Sequence, residues 1–188
     1  LAVGRAAVPG GRCRQVCPGR RHAGSVALGT QQVPAHVTVA LRAHHLLCML
    51  TYVGKGYSAE FAHNFDGLAS RLAAGEEVVL VEGPDAICAP LCESEGACAH
   101  CRGTGVRARD QRAVQELAPL LGRPLGAGSR LRLDVDLLTR LRMAYASGDI
   151  CGACVGCEWA DLCTRIAATG YEGVRLRMQT AASAHGPR

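Results

Sequence analysis

The sequence predicts a small single domain of the α+β class, mostly α-helical, with short strands and two cysteine-rich metal-binding loops. Three observations lead there. Segments with apolar residues at helical spacing recur along the chain and are closed by glycine; one run, Glu76 to Val81, is rich in β-branched residues and too short for a helix. Four thiols, Cys151, Cys154, Cys157 and Cys163, fall within thirteen residues, and a second thiol-rich stretch holds Cys88, Cys92, Cys98, His100 and Cys101.

Residues 1–38 are rich in Gly, Ala, Arg and Pro and show no sustained periodicity, so they are expected to form a disordered extension, of the kind a start assigned too far upstream would add. Cys13 and Cys17 lie in it and are read as stray thiols. The folded domain is expected over 39–179, with a loose tail over 180–188.

From Val39 the pattern turns helical through His44, His45 and Cys48 to Val53, and Gly54 and Gly56 close it. His44 and Cys48 are four apart and share a face, with His45 on the adjoining flank, so either pair could serve a metal. Ser58 caps a second helix that carries Phe61, Phe65, Leu68 and Leu72 on one side up to Gly75. The strand over 76–81 then turns at Gly83-Pro84-Asp85 into the first cysteine loop. Residues 106–121 predict a helix with Val114, Leu117, Leu120 and Leu121 inward, ended by Gly122 and Pro124. Asp134 or Asp136 caps a helix running to Ser147-Gly148, which delivers the second cysteine loop. A short helix over 159–168 contains Cys163, and 173–177 is expected as a last strand.

Composition narrows the function classes. The formal charge of +5 comes from the leader, where Arg5, Arg12, Arg14, Arg20 and Arg21 meet no acid, so the remaining 16 basic residues balance the 16 acidic ones. With 4% aromatic residues the chain also lacks stacking platforms, and no nucleic-acid partner is expected. Arg42, His44 and His45 interrupt the most apolar stretch, so no membrane span is expected, and no export signal is read at the front. A cytoplasmic location follows, in which eleven cysteines point to metal or redox chemistry rather than a disulfide framework.

Thiolates in loops suit both zinc and iron-sulfur clusters. For zinc, Cys98/Cys101 and Cys154/Cys157 offer two Cys-x-x-Cys knuckles. For a cluster, the steps of Cys151, Cys154 and Cys157 match the opening of a bacterial ferredoxin run, although Asp161 stands where a fourth Cys would follow and the thiol is delayed to Cys163. Trp159, beside Cys157, could cover the metal and exclude water.

Taken together, Leu41-Arg-Ala-His44-His45-Leu-Leu-Cys48, Gly56-Tyr57-Ser58-Ala-Glu-Phe61, Gly83-Pro-Asp85-Ala-Ile-Cys88, His100-Cys101, Arg109-Asp110 and Cys154-Val-Gly-Cys157-Glu-Trp159-Ala-Asp-Leu-Cys163 closely resemble DUF1284, a bacterial and archaeal family of uncharacterised proteins. The resemblance covers about Val39 to Leu176 and implies iron-sulfur binding. It points to Cys48, Cys88, Cys92, Cys101, Cys154, Cys157 and Cys163, with His44 and His45, as metal-site residues, and makes Cys98 and Cys151 additions of this chain. Cys154, Cys157 and Cys163 with one upstream thiol, Cys88 first, are the expected ligands of a 4Fe-4S or 2Fe-2S cluster. The function expected is that of an iron-sulfur protein in electron transfer or redox sensing, served by a redox partner protein, with oligomeric state open. The alternatives are a zinc-stapled structural or interaction module and an enzyme with a cysteine nucleophile paired to His44 or His45; no catalytic motif supports the last.

Overall fold

The computed structural model of the chain describes residues 38–96 and 100–178. The expected leader up to residue 37, its two cysteines, Cys98 and the tail over 180–188 lie outside the described residues. All described residues belong to one compact unit, 34–188.

A three-stranded sheet is packed with six α-helices, so the domain is α+β and mostly helical. Strand β1 (Thr38–Leu41) pairs in parallel with β2 (Glu77–Leu80), Val39 standing opposite Val78 and Leu41 opposite Leu80. Between them run helices α1 (Ala43–Thr51) and α2 (Ala59–Ala73). Strand β3 (Arg130–Arg132) pairs antiparallel to the other edge of β2, so β2 is central. In both β1 and β2 alternate residues are buried, as a sheet with one face on the core requires.

The helix expected from Val39 thus begins four residues later. Val39 and Leu41 suit a helical stripe and a strand face equally well, and pairing with β2 selects the strand. Helix α2 starts where expected, because the Ser58 hydroxyl accepts the Phe61 N–H at 3.1 Å. The first cysteine stretch is less irregular than expected: Cys88 is the N-cap of helix α3 (Ala89–Glu95), with Pro90 in its first turn, and a short 3₁₀ turn covers His100–Arg102. Helix α4 (Thr104–Leu121) buries Ala113 and Leu117 and leaves Val114, Leu120 and Leu121 only partly covered. It ends at Gly122, whose left-handed φ of 64° lets its N–H reach back to the last carbonyls.

Asp134 caps helix α5 (Val135–Ser147) by accepting the Leu137 N–H at 2.7 Å. A second 3₁₀ turn, Gly152–Cys154, leads to helix α6 (Ala160–Ala168). The strand expected over 173–177 does not form: Val174 and Leu176 are buried, but the segment is held by the Arg175 N–H donating to Tyr52 O at 2.8 Å and by Arg142 Nη2 donating to Leu176 O at 2.8 Å, not by a strand partner. Strand β3, in contrast, has one apolar residue between two arginines and carried no signal of its own; β2 recruits it. No described helix is long and apolar enough to cross a membrane.

Helix α1 runs through the centre of the core, with Leu46, Met49 and Leu50 fully buried. Leu50→Ala should therefore lower unfolding stability in denaturant by about 2–5 kcal/mol, whereas Val155→Ala, at a position 74% exposed, should stay within about 0.5 kcal/mol of the parent.

Candidate metal centre

The site is organised by Arg42, which lies between β1 and α1 and is 0% exposed. Its backbone N–H donates to Asp85 Oδ2 at 2.7 Å. Its side chain donates through Nε to Asp110 Oδ2 at 2.8 Å, pairs through Nη2 with the same oxygen at 2.6 Å, and donates through Nη1 to the Cys101 carbonyl. One buried residue thereby joins the turn before the first cysteine stretch, the end of that stretch and helix α4. A buried guanidinium demands such partners, since an unpaired charge in the interior costs several kcal/mol.

The two aspartates that meet Arg42 also hold the two histidines. His44 Nδ1 lies 2.6 Å from Asp110 Oδ1, and His45 Nδ1 lies 2.7 Å from Asp85 Oδ2. Asp85 Oδ1 accepts the N–H groups of Ile87 and Cys88 at 3.0 and 3.1 Å, so each of its oxygens accepts two hydrogen bonds. Burial alone would raise this carboxyl, but the charge of His45 and the surrounding donors outweigh it and hold it down to about 2. Burial lowers His44 to about 4 against the opposing pull of Asp110, so its imidazole is neutral at neutral pH. A carboxylate on Nδ1 with Nε2 left over is the arrangement that presents an imidazole to a metal, and both rings line the same cavity.

Helix α4 fixes the second cysteine stretch from its other side. Glu116 accepts the Gly152 N–H on both oxygens at 3.0 and 3.1 Å, Arg112 Nε donates to Gly152 O at 2.9 Å, and Arg109 Nε donates to Ala153 O at 2.8 Å. These three residues share one face of α4 by their spacing. A Cβ at Gly152 would sit on Glu116 Oε1, which explains the glycine.

A cavity of about 90 Å³ lies between the two stretches. That is several times the space one water needs. Cys48, Cys154, Cys157 and Cys163 line it, together with Cys88, Cys101, His44 and His45. The thiols fall into two groups. Cys48 shares the cavity wall with Cys163, Cys154 and Cys157, close enough that they oppose its ionisation, and Tyr145 Oη lies 3.5 Å from Cys154 Sγ. Cys88 and Cys101 are buried together with Cys92 packed on them, and Cys92 Sγ lies 3.4 Å from Cys101 Sγ. Cys151 belongs to neither: its thiol donates to Tyr145 O at 3.3 Å, and it does not line the cavity. Aromatic rings form the remaining wall, Trp159 meeting Tyr57 edge-on at 5.7 Å and Tyr57 meeting Phe61 at 5.2 Å.

A ring nitrogen of His45, a carboxylate oxygen of Asp85 and Cys88 Sγ lie within 4.8 Å of one another, a group that could hold a metal ion, and among the described residues no other trio of such ligand atoms is that close. Burial first, then the crowding of neighbouring thiols, pushes Cys48 and Cys163 up from the ordinary thiol range; burial likewise raises Cys154, although Tyr145 opposes it, and Cys151 reaches about 11. Thiols so placed are poor nucleophiles at neutral pH and gain most from a cation that replaces their protons.

The structure thus brings Cys48, Cys88, Cys101, Cys154, Cys157 and Cys163 with both histidines around one cavity and packs Cys92 on Cys88 and Cys101, whereas Cys151 turns away and Cys98 is not described. Sequence reasoning missed Arg42, Asp85 and Asp110 as the frame, although each stands within a motif quoted above. It also missed Glu116 and Tyr145, which no local pattern marks.

Asp110→Asn should lower stability by about 3 kcal/mol, because it strands the buried Arg42 charge. Glu116→Ala should cost about 1–2 kcal/mol through the lost Gly152 bonds. Chemical denaturation of both variants checks the order.

No curated protein and no solved structure matches the chain. A family model described as "Protein of unknown function (DUF1284)" matches residues 56–163, the span from the glycine before α2 through α4 and α5 to the last thiol of the cavity. With more than half of its length matched, this cysteine-rich chain belongs to the DUF1284 family.

Proposed function

We propose that the protein binds an iron-sulfur cluster through Cys48, Cys154, Cys157 and Cys163 and works in one-electron transfer or redox sensing with a partner protein. The observation that carries this is the gathering of four thiols from α1, the second cysteine stretch and α6 around one cavity. Four is the thiolate count of both 2Fe-2S and 4Fe-4S centres. Sequence pointed first to Cys88 as the fourth ligand; the company that Cys48 keeps favours Cys48.

The chain's own residues suit the part. The cluster would supply the redox change. Tyr145 can donate a hydrogen bond to Cys154, and Arg109 sets a positive charge near Cys48 and Cys154, both of which stabilise thiolate. Trp159 and Tyr57 cover the cavity on the aromatic side and limit the approach of water. Eight unpaired cysteines among the described residues support a reducing compartment such as the cytoplasm.

Purification without oxygen from iron-replete cells, followed by iron, zinc and acid-labile sulfide analysis and a visible spectrum, tests the reading. Iron with matching sulfide, a colour bleached by dithionite, and loss of both in Cys48→Ser or Cys163→Ser are expected. Protein free of iron and sulfide after such a preparation overturns the reading.

A further inference from the structure

We propose that Cys88, Cys92, Cys101 and His45 form a second metal site, a closed structural site for one zinc ion, separate from the thiols around Cys48. Cys88 and Cys101 make a buried cluster of their own, apart from the main apolar core, and the partly buried Cys92 packs on it. Cys92 Sγ and Cys101 Sγ already stand 3.4 Å apart, close to the roughly 3.8 Å edge of a zinc-thiolate tetrahedron. Cys88 and Cys92 are four apart, at the N-cap and in the first turns of α3, and so face the same way. Cys88 Sγ also has a ring nitrogen of His45 within 4.8 Å.

Asp85 lies in the same group but is an orienting residue rather than a ligand. Each of its oxygens already accepts two hydrogen bonds, from the N–H groups of Arg42, Ile87 and Cys88 and from His45. Those bonds hold the backbone of Cys88 and the ring of His45 in place. Arg42 fixes Cys101 by donating to its carbonyl. Three of the four proposed ligands are therefore held by one buried pair of residues, the supporting shell that metal sites require. Cys88 does not stand within 4.8 Å of both other thiols, so the ion must draw the Cys92–Cys101 pair toward it, and the partly exposed Cys92 has room to turn.

Three thiolates and one imidazole are a ligand set of structural zinc, and four protein ligands leave no open position for catalysis. Zinc binding would expel the thiol protons to solvent and tie α3 and the 3₁₀ turn to α1. The site neighbours the one proposed for the cluster, since His45 and Cys48 are three apart on α1, but it shares no ligand with it.

The test is zinc K-edge absorption on the full chain prepared without oxygen from cells given both iron and zinc. About one zinc per chain is expected, with three sulfurs at about 2.3 Å and one nitrogen at about 2.0–2.1 Å. Cys92→Ser should then lose most of the zinc while keeping iron, sulfide and visible colour, and Cys154→Ser should do the reverse. A shell of four sulfurs, a shell of only nitrogen and oxygen, or a chain that retains no zinc after dialysis against a zinc buffer would overturn the proposal. The edge measurement uses the unaltered chain, so it stands even where a variant fails to fold. Loss of iron and sulfide alone counts against the cluster and leaves the zinc site intact.

Discussion

A buried ion pair governs this domain. Arg42 has no solvent access, and its guanidinium would be untenable without Asp110 and the Cys101 carbonyl beside it. Because those partners come from α4 and from the end of the first cysteine stretch, satisfying one charge positions both against β1 and α1. Asp110 then uses its other oxygen on His44, and Asp85, which accepts the Arg42 N–H, meets His45 through that same oxygen. The histidine pair is thereby oriented by the groups that solve the problem of the arginine.

Helix α4 extends that constraint across the cavity. Asp110 faces the arginine and the histidines, while Arg109, Arg112 and Glu116 bond the backbone of Gly152 and Ala153. A rigid helix with both sets of contacts holds the two cysteine stretches at a set separation, which is what a polynuclear or paired metal site needs from its scaffold. The second stretch is thus positioned through its backbone, and its thiols are left for the cavity. Cys151 is the exception, turned onto the Tyr145 carbonyl.

The electrostatics of the cavity favour metal over covalent chemistry. Burial, with neighbouring thiols adding to it, raises Cys48, Cys154 and Cys163 above the ordinary thiol range, the opposite of an activated cysteine nucleophile. A neutral His44 likewise serves better as a ligand than as a partner that would draw a thiol proton into an ion pair. The rings of Trp159, Tyr57 and Phe61 form the remaining wall of the cavity.

What the sequence by itself determined were features settled within a few residues. Ser58 and Asp134 cap their helices, Gly122 and Gly148 end theirs, and the β-branched run at 77–80 is a strand, because each signal acts on backbone groups no more than about four positions away. The candidate ligands were legible for the same reason, as clustered thiols need no fold to be noticed. Only the tertiary structure decided that Val39 and Leu41 join a sheet, that Arg130–Arg132 is a strand while 173–177 is not, and that Cys48 lines one cavity with Cys154, Cys157 and Cys163. Strand pairing and the convergence of thiols more than a hundred residues apart depend on which surfaces pack together. The contacts of Arg42 with Asp85 and Asp110, 43 and 68 positions away, are of the same kind, a balance of desolvation and pairing that no local window contains.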